Sequence, residues 1–249
     1  MLLLSRRSLL VFLCVSLLFL LVTMPARIVG YWVAPTMHLT GFSGSLWRGE
    51  AVRLTIDVSG KPIHLGTVSW SLHPGSLLLL SPKVTFSSRW GTQYVSGQVT
   101  AGLSGLSVRD VNGRMNVRFI RDLVPLYVGG VLELQDLTAT IDGGRSASFE
   151  SASGRLLWQD AVWTAHTGDV ALGRYAVDVG SDSEGVTATL GTLSGPLQLD
   201  GLLRLKGERY ALDVALRGPA VANEAFQQSV ALLATPVDGG FDLRLEGDW

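Results

Sequence analysis

The sequence has little cysteine and little charge. Its 249 residues include a single cysteine, Cys14, and charged residues make up only 16%, with a formal net charge of -1. One cysteine excludes an intramolecular disulfide and a cysteine-based zinc site. Because the charge is sparse and balanced, no basic stripe is present that could neutralise phosphates. Nucleic acid is therefore not a predicted partner.

Recognisable catalytic and nucleotide-binding motifs are also lacking. Neither a strand-to-helix G-x-G-x-x-G nor a G-x-x-x-x-G-K-[ST] loop occurs, so nothing indicates a bound nucleotide. The segment 41–45 lacks the final glycine of a G-x-S-x-G nucleophile elbow. The histidines lack metal-ligand spacing: His38, His64, His73 and His166. We predict no enzyme activity, metal or cofactor; the opposing hypothesis, an envelope hydrolase, requires polar side chains that converge from distant strands.

The N-terminus contains one long apolar run. Arg6 and Arg7 precede the segment 9–22, whose length is at the short end of the range for a membrane-spanning helix. We predict an uncleaved signal-anchor, because no small-x-small cleavage site follows the run; a cleaved signal peptide is the alternative. The two arginines favour a cytoplasmic N-terminus and an exported body. The predicted anchor positions are Leu9, Leu13, Leu17, Leu20 and Val22.

The remainder of the chain has the pattern of β-strands. Apolar and polar residues alternate with period two in segments such as 53–58, 210–217 and 241–246, which predicts strands with one buried face. Glycine-containing pairs such as Asn112-Gly113 and Asp238-Gly239 predict turns.

Two short helices are predicted within this β-rich body. Residues 222–234 place Phe226, Val230 and Leu233 on one face, and Asn223 is a suitable N-cap. A second helical segment is predicted at 118–124, ended by Pro125.

Four sequence landmarks occur twice in the same order. The first and last pairs are offset by about 110 residues, which indicates two related β-units. The paired segments are 43–52 with 153–162, Leu65-Gly66 with Leu172-Gly173, 96–99 with 194–197, and 129–134 with 239–245.

The predicted fold is mainly β, an N-terminal transmembrane helix followed by two antiparallel β-units. The predicted boundaries are 1–30 for the cytoplasmic tip and anchor, 31–135 for the first unit and 136–249 for the second. The two units form either two domains or one continuous curled sheet. The absence of a Pro/Ser-rich linker near residue 135 favours the continuous sheet.

The repeated motif contains a tryptophan and is predicted to be a hairpin in both copies. Each strand reaches a tryptophan, turns over the polar residues that follow, and returns through Ala-Val. The large indole ring is expected to serve as a core anchor, with partner binding as the alternative. The motif positions are Gly44, Leu46, Trp47, Gly154, Leu156 and Trp158.

A run of leucines interrupts the alternation. Leu77, Leu78, Leu79 and Leu80 follow Trp70 closely and would be apolar on both faces of a strand. One interpretation is a strand covered on both sides. The other, with Trp70 included, is an exposed patch that contacts a partner, the bilayer or a lipid chain.

Several segments together resemble the type II secretion system protein N family. They are 39–49 and 68–72 with the leucine run after it, then 154–162, 194–201 and 240–247. The resemblance spans nearly the whole chain and depends on the order and spacing of these segments. The β-units also have a weaker similarity to AsmA-type proteins.

The resemblance implies a single-pass inner-membrane protein with a periplasmic β-body. It would be a non-catalytic accessory or assembly component of the type II secretion system, which exports folded proteins across the outer membrane. Other inner-membrane components of that system are the implied partners, and the bilayer is the implied surroundings of the anchor. The AsmA similarity implies an alternative function, a β-groove that binds or shuttles lipid.

Overall fold

A computed structural model describes residues 6–32, 36–58, 61–103, 105–117, 128–143, 148–165, 168–231 and 233–248. The helical elements are α1 (Arg6–Val22), a 3₁₀ turn (Ala26–Ile28), α2 (Val29–Trp32), α3 (Pro74–Leu78), a second 3₁₀ turn (Pro219–Ala222) and α4 (Glu224–Val230). The strands are β1 (Met37–Gly44), β2 (Arg48–Val58), β3 (Lys61–Leu72), β4 (Lys83–Trp90), β5 (Gln93–Ala101), β6 (Gly105–Asn116), β7 (Val128–Asp142), β8 (Ser148–Ala165), β9 (Gly168–Asp182), β10 (Gly185–Ser194), β11 (Gln198–Lys206), β12 (Arg209–Arg217), β13 (Thr235–Val237) and β14 (Gly240–Asp248).

The described strands form one antiparallel sheet of fourteen strands. From β1 to β12 each strand pairs with the next one in the chain, and β14 lies between β12 and the short edge strand β13. The predicted mainly-β class is therefore confirmed. The two predicted units are joined in one continuous sheet, because β7 and β8 pair along most of their lengths.

The sheet has an apolar face and a polar face. Residues that pair directly across antiparallel strands place their side chains on the same face. One such row crosses the sheet from β1 to β14, and most of its members are apolar: Phe42, Ala51, Val68, Ser88, Val95, Gly113, Leu134, Leu156, Val177, Leu190, Gly201, Val214 and Leu243.

Helical segments cover the apolar face at two places. On the second half of the sheet, Phe226 of α4 packs edge-on against Trp163 of β8, with ring centroids 5.5 Å apart. On the first half, Ala26 of the 3₁₀ turn packs against Ala51 and Trp70, and all three are buried. These two clusters form the hydrophobic core of the described chain.

The predicted strands at 53–58, 210–217 and 241–246 lie in β2, β12 and β14. The turn predicted at Asn112-Gly113 is wrong, because both residues lie inside β6. Asn112 instead accepts a hydrogen bond from the Asp136 amide at 3.1 Å, where the pairing of β6 with β7 is irregular. An asparagine beside a β-bulge thus resembles a turn signal in sequence.

The predicted C-terminal helix is confirmed over a shorter range. Asn223 is the N-cap of α4, and its side-chain oxygen accepts a hydrogen bond from the Phe226 amide at 3.0 Å. The segment predicted as helical at 118–124 lies outside the described residues.

The apolar N-terminal run forms α1, which has 17 residues. Within the part of the chain that the structure describes, no helix is long and apolar enough to cross a membrane.

Candidate interaction surface at one end of the sheet

Alternate connections of the sheet lie at the same end, because successive strands run in opposite directions. The end that carries the β1–β2, β3–β4 and β5–β6 connections is called the α1 end here. It includes the residues 45–47, 73–82, 102 and 103. The candidate surface is built from these three connections.

The last turn of α1 is hydrogen-bonded to the β1–β2 connection. The amide of Leu46 donates to the Met24 carbonyl at 2.8 Å. The indole Nε1 of Trp47 donates to the Leu21 carbonyl, also at 2.8 Å. Helix C-termini leave carbonyls without intrahelical partners, and Trp47 satisfies one of them. The helix is thus fastened to the sheet directly.

The same connection is bonded to the end of β3. The indole Nε1 of Trp70 donates to the Leu46 carbonyl at 3.1 Å, and the Leu72 amide donates to the Trp47 carbonyl at 2.8 Å. Trp70 is buried. Its predicted role as a partner or lipid contact is therefore wrong, and it holds the junction between α1 and the sheet instead.

The leucine run does not form a covered strand. Leu77 and Leu78 end α3, and Leu79 and Leu80 follow in a turn before β4. Leu78 is 88% exposed, Leu79 78% and Leu80 67%. A strand does not form here because Pro74 begins a short helix at its first position. Of the two interpretations of this run, the exposed patch is the one that fits the structure.

Hydrogen bonds hold these leucines outward. Ser76 Oγ accepts from the Lys83 amide at 2.8 Å, and the Ser76 carbonyl accepts from the Ser81 amide at 3.1 Å. Leu80 has a φ of 53°, a left-handed conformation that is unfavourable for a leucine. An exposed apolar residue at a strained position makes this connection a candidate contact surface.

Among the described connections of the α1 end, the exposed apolar side chains lie in the first three. Leu103, in the β5–β6 connection, is 93% exposed. Further along the same end, the β9–β10 turn carries Ser183 and Glu184, and the β11–β12 turn carries Glu208. We call the patch formed by Leu78, Leu79, Leu80 and Leu103 the leucine patch.

The predicted anchor positions lie on α1. Four of them have exposed side chains, from 58% at Val22 to 67% at Leu17, and Leu9 lies in the first half of the helix. The four are Leu13, Leu17, Leu20 and Val22.

The predicted tryptophan hairpin does not form in the second copy of the repeated motif. Leu46 and Trp47 lie in a turn, whereas Gly154, Leu156 and Trp158 lie within the continuous strand β8. The polar pair after Trp158 forms an irregularity in the strand, with Asp160 at a φ of 48°. The chain therefore bends there without reversing.

Trp158 has a role in the core, and Tyr175 beside it is a residue that the sequence did not single out. Trp158 Nε1 donates to the Gly129 carbonyl at 3.0 Å, and its ring lies 5.5 Å from that of Tyr175. The Tyr175 hydroxyl lies 2.8 Å from the Leu172 carbonyl and 2.9 Å from the Leu197 carbonyl. Burial raises the pKa of Tyr175 to about 12.

Leu65-Gly66 and Leu172-Gly173 occupy equivalent places in β3 and β9. Both glycines have positive φ angles, 69° and 135°. In both cases the carbonyl of the preceding leucine accepts a hydrogen bond from a hydroxyl, Ser88 Oγ at 2.5 Å in the first half and Tyr175 in the second. This landmark is repeated in structure as well as in sequence.

The landmark formed by 96–99 and 194–197 is not structurally equivalent. Ser96–Val99 lies inside β5, whereas Ser194 ends β10 and the following residues form the β10–β11 connection.

Charged side chains on the polar face pair across strands. Arg155 binds both carboxylate oxygens of Asp178, at 2.5 and 3.0 Å, and its guanidinium holds the pKa of Asp178 below the usual value. Arg244 binds Asp213 at 2.8 Å and lowers its pKa in the same way. Within the described ranges, no group of three or more His, Cys, Asp or Glu side chains could hold a metal ion.

The family comparison agrees with the order of segments along the chain. Residues 35–244 match the family described as Type II secretion system (T2SS), protein N. The chain belongs to this family.

Two relatives carry the protein N name. The type II secretion system protein N of Aeromonas hydrophila is 29% identical in an alignment 253 residues long, which covers 95% of each chain. The protein of the same name from Vibrio cholerae serotype O1 is 26% identical over 208 residues, or 80% of each chain. No solved structure matches significantly.

In this member of the protein N family, we expect the substitution Trp47→Phe to loosen the junction between α1 and the sheet. It removes the bond to the Leu21 carbonyl and should destabilise the junction by about 1 kcal/mol. Hydrogen exchange of the full-length chain in detergent should show faster exchange of the Leu46 amide. Trp158→Phe is the matched control and should leave that amide unchanged. Equal exchange in wild type and Trp47→Phe would contradict the assignment.

Proposed function

We propose that the chain is a non-catalytic accessory component of the type II secretion system, tethered to the inner membrane with its sheet in the periplasm. It supports the export of folded proteins across the outer membrane by contacting other inner-membrane components. Family membership over residues 35–244 carries the proposal. The direct attachment of an apolar helix to the sheet supports the tethering.

The composition of α1 supports its role as the tether. Its sequence contains no acidic residue, and its only charged residues, Arg6 and Arg7, are at its beginning. Apolar side chains are exposed on all sides of it, including Phe12, Val15 and Phe19. A helix that is apolar around its whole circumference is suited to a membrane or to a protein core. The arginines favour placement of the N-terminus in the cytoplasm.

The arrangement of charges supports a role without catalysis. Arg114–Glu133, Arg155–Asp178 and Asp213–Arg244 are pairs of directly opposed residues on neighbouring strands, and the arginine of each pair is exposed. Such pairs favour one strand register. Their exposure on the open polar face differs from a catalytic pocket, in which burial adjusts the pKa of reactive groups.

Photocrosslinking in intact envelopes tests the proposal. A photoreactive amino acid is placed at Thr40 on the edge strand β1, at Ser69 or at Arg155 on the polar face, all of which are exposed. We expect at least one position to form an adduct with an inner-membrane secretion component, identified by mass spectrometry. The same variants in a strain without the secretion system are the control. Adducts that are the same in both strains would refute the proposed partners.

We also propose that the two halves, 31–135 and 136–249, derive from a duplication. The matching environments of Gly66 in β3 and Gly173 in β9 support it, since each glycine faces the end of the next strand. The 3₁₀ turn and helix α4 that lie between β12 and β14 belong to the second half.

The apolar face supports a second candidate function, a groove that binds lipid. The apolar row that crosses the sheet is half-buried at many positions, including Val95, Leu134, Leu156 and Val177. A lipid chain could cover these side chains. Lipid extraction from the protein, purified in a detergent that is then exchanged for amphipol, should recover a stoichiometric lipid. Recovery of only trace lipid would refute this function and leave the first one standing.

A further inference from the structure

The leucine patch lies beside the point at which α1 joins the sheet. Trp47 bonds to Leu21 in the last turn of α1 and Leu46 bonds to Met24 just after it. The Trp47 carbonyl accepts from the Leu72 amide, at the end of β3. The next residue, His73, donates its amide to Lys83 at 2.9 Å and closes the loop that carries α3. A short series of hydrogen bonds therefore connects the helix to the leucines, without a flexible linker.

The length of α1 determines how close this end comes to a bilayer. Its 17 residues extend about 25 Å at 1.5 Å per residue, whereas the hydrocarbon core is about 30 Å thick. A helix this short brings its ends to the membrane interface or slightly below it. Since Trp47 bonds to Leu21 in the last turn, the α1 end of the sheet must come to the interface with it.

The residues at this end match the chemistry of an interface. The connection 73–82 contains no Asp, Glu, Lys or Arg, and its single histidine, His73, is its first residue; the next charged residue is the cation Lys83. Trp47 has the amphipathic side chain that is enriched at membrane interfaces. The acidic Glu184 and Glu208 are in the later turns of the same end, where contact with an anionic membrane would be unfavourable.

We propose that the α1 end of the sheet rests on the bilayer, with Leu78, Leu79, Leu80 and Leu103 inserted into its interfacial layer. The inference rests on the proposed tether and adds a second, non-helical contact. It fixes the orientation of the sheet, because one helix alone would leave the body free to tilt. The polar later turns are directed away from the lipid.

Depth-dependent quenching tests this contact on the full-length chain. In a Cys14→Ala background, an environment-sensitive fluorophore is attached to one of three variants, Leu20→Cys, Leu79→Cys or Leu193→Cys. Leu193 is the matched control, because it is an exposed leucine near the end of β10, at the opposite end of the sheet. Vesicles of phosphatidylethanolamine and phosphatidylglycerol carry doxyl-labelled phosphatidylcholine as the quencher.

We expect strong quenching at positions 20 and 79 and little at 193. Quenching at 20 without quenching at 79 would overturn this inference and leave the tether intact. Lack of quenching at 20 would refute the tether itself. Leu103→Cys provides a second test of the patch, and its label should be quenched as strongly as the one at position 79. A folded Leu103→Cys protein without quenching would restrict the contact to the connection 73–82 and contradict the stated patch.

Discussion

The substitution Gly173→Ala is expected to prevent stable folding of the second half of the sheet. Gly173 has a φ of 135°, and a Cβ at this position would overlap the carbonyl oxygen of Ser194 and crowd Gly195. Both obstacles are backbone atoms, which cannot rotate away as a side chain can. A strained backbone and an overpacked contact together should lower the free energy of unfolding by at least about 3 kcal/mol.

Gly180→Ala is the matched control for this prediction. Gly180 lies in the same strand, β9, and a Cβ there would meet no atom within 4 Å. Alanine should change the free energy of unfolding by less than about 1 kcal/mol at this position. Guanidinium unfolding of both full-length variants in detergent micelles, followed by tryptophan fluorescence, makes the comparison. Equal denaturation midpoints for the two variants would show that the close approach at Gly173 is not required.

The strands could be predicted from sequence because their signal is local. In β12 and β14 the alternation reflects one face that packs on the core and one that meets water, and no irregularity shifts it. The prediction failed where a bulge occurs. Asp110, Asp136 and Asp160 all have positive φ angles within or beside strands. There a polar residue marks a bend in a continuing strand and not a reversal of the chain.

The candidate surface was only partly predictable for a different reason. The sequence singled out Trp47, Trp70 and the leucine run as unusual, but not which of them is exposed. The role of Trp47 depends on the Leu21 carbonyl, 26 residues away in sequence. Trp70 and Leu79 have comparable hydrophobicity, yet the first is buried and the second exposed. Only the tertiary arrangement of α1, β2 and β3 separates a junction residue from a contact residue.

Tyr175 was missed because it follows the same alternation as its apolar neighbours. Its hydroxyl lies between the Leu172 and Leu197 carbonyls, and the Leu172 carbonyl also accepts from the Leu197 amide at 3.1 Å. A buried polar group needs such a partner. The useful signal in the sequence was therefore the repeated Leu-Gly pair, since in both halves a hydroxyl donates to the carbonyl of its leucine.

Alkaline pH is expected to destabilise the fold through Tyr175. Burial raises its pKa to about 12 in the folded state, against about 10 in an unfolded chain. Because the folded pKa is the higher one, the stabilisation is complete below pH 10 and is lost as the pH rises towards 12. Two pKa units correspond to about 3 kcal/mol, which should appear as a falling denaturation midpoint across this range.

The substitution Tyr175→Phe should remove this alkaline loss. The phenylalanine cannot ionise, but it also has no hydroxyl to donate to the Leu172 or the Leu197 carbonyl. It should therefore be less stable than wild type by about 1 kcal/mol near neutral pH and gain relative to wild type as the pH rises. Tyr94→Phe, at an exposed tyrosine, is the control and should keep the wild-type pH dependence. If Tyr175→Phe lost stability between pH 10 and 12 as steeply as wild type, another group would be responsible, because the buried phenol would then contribute nothing to the difference in proton binding between the folded and unfolded chains.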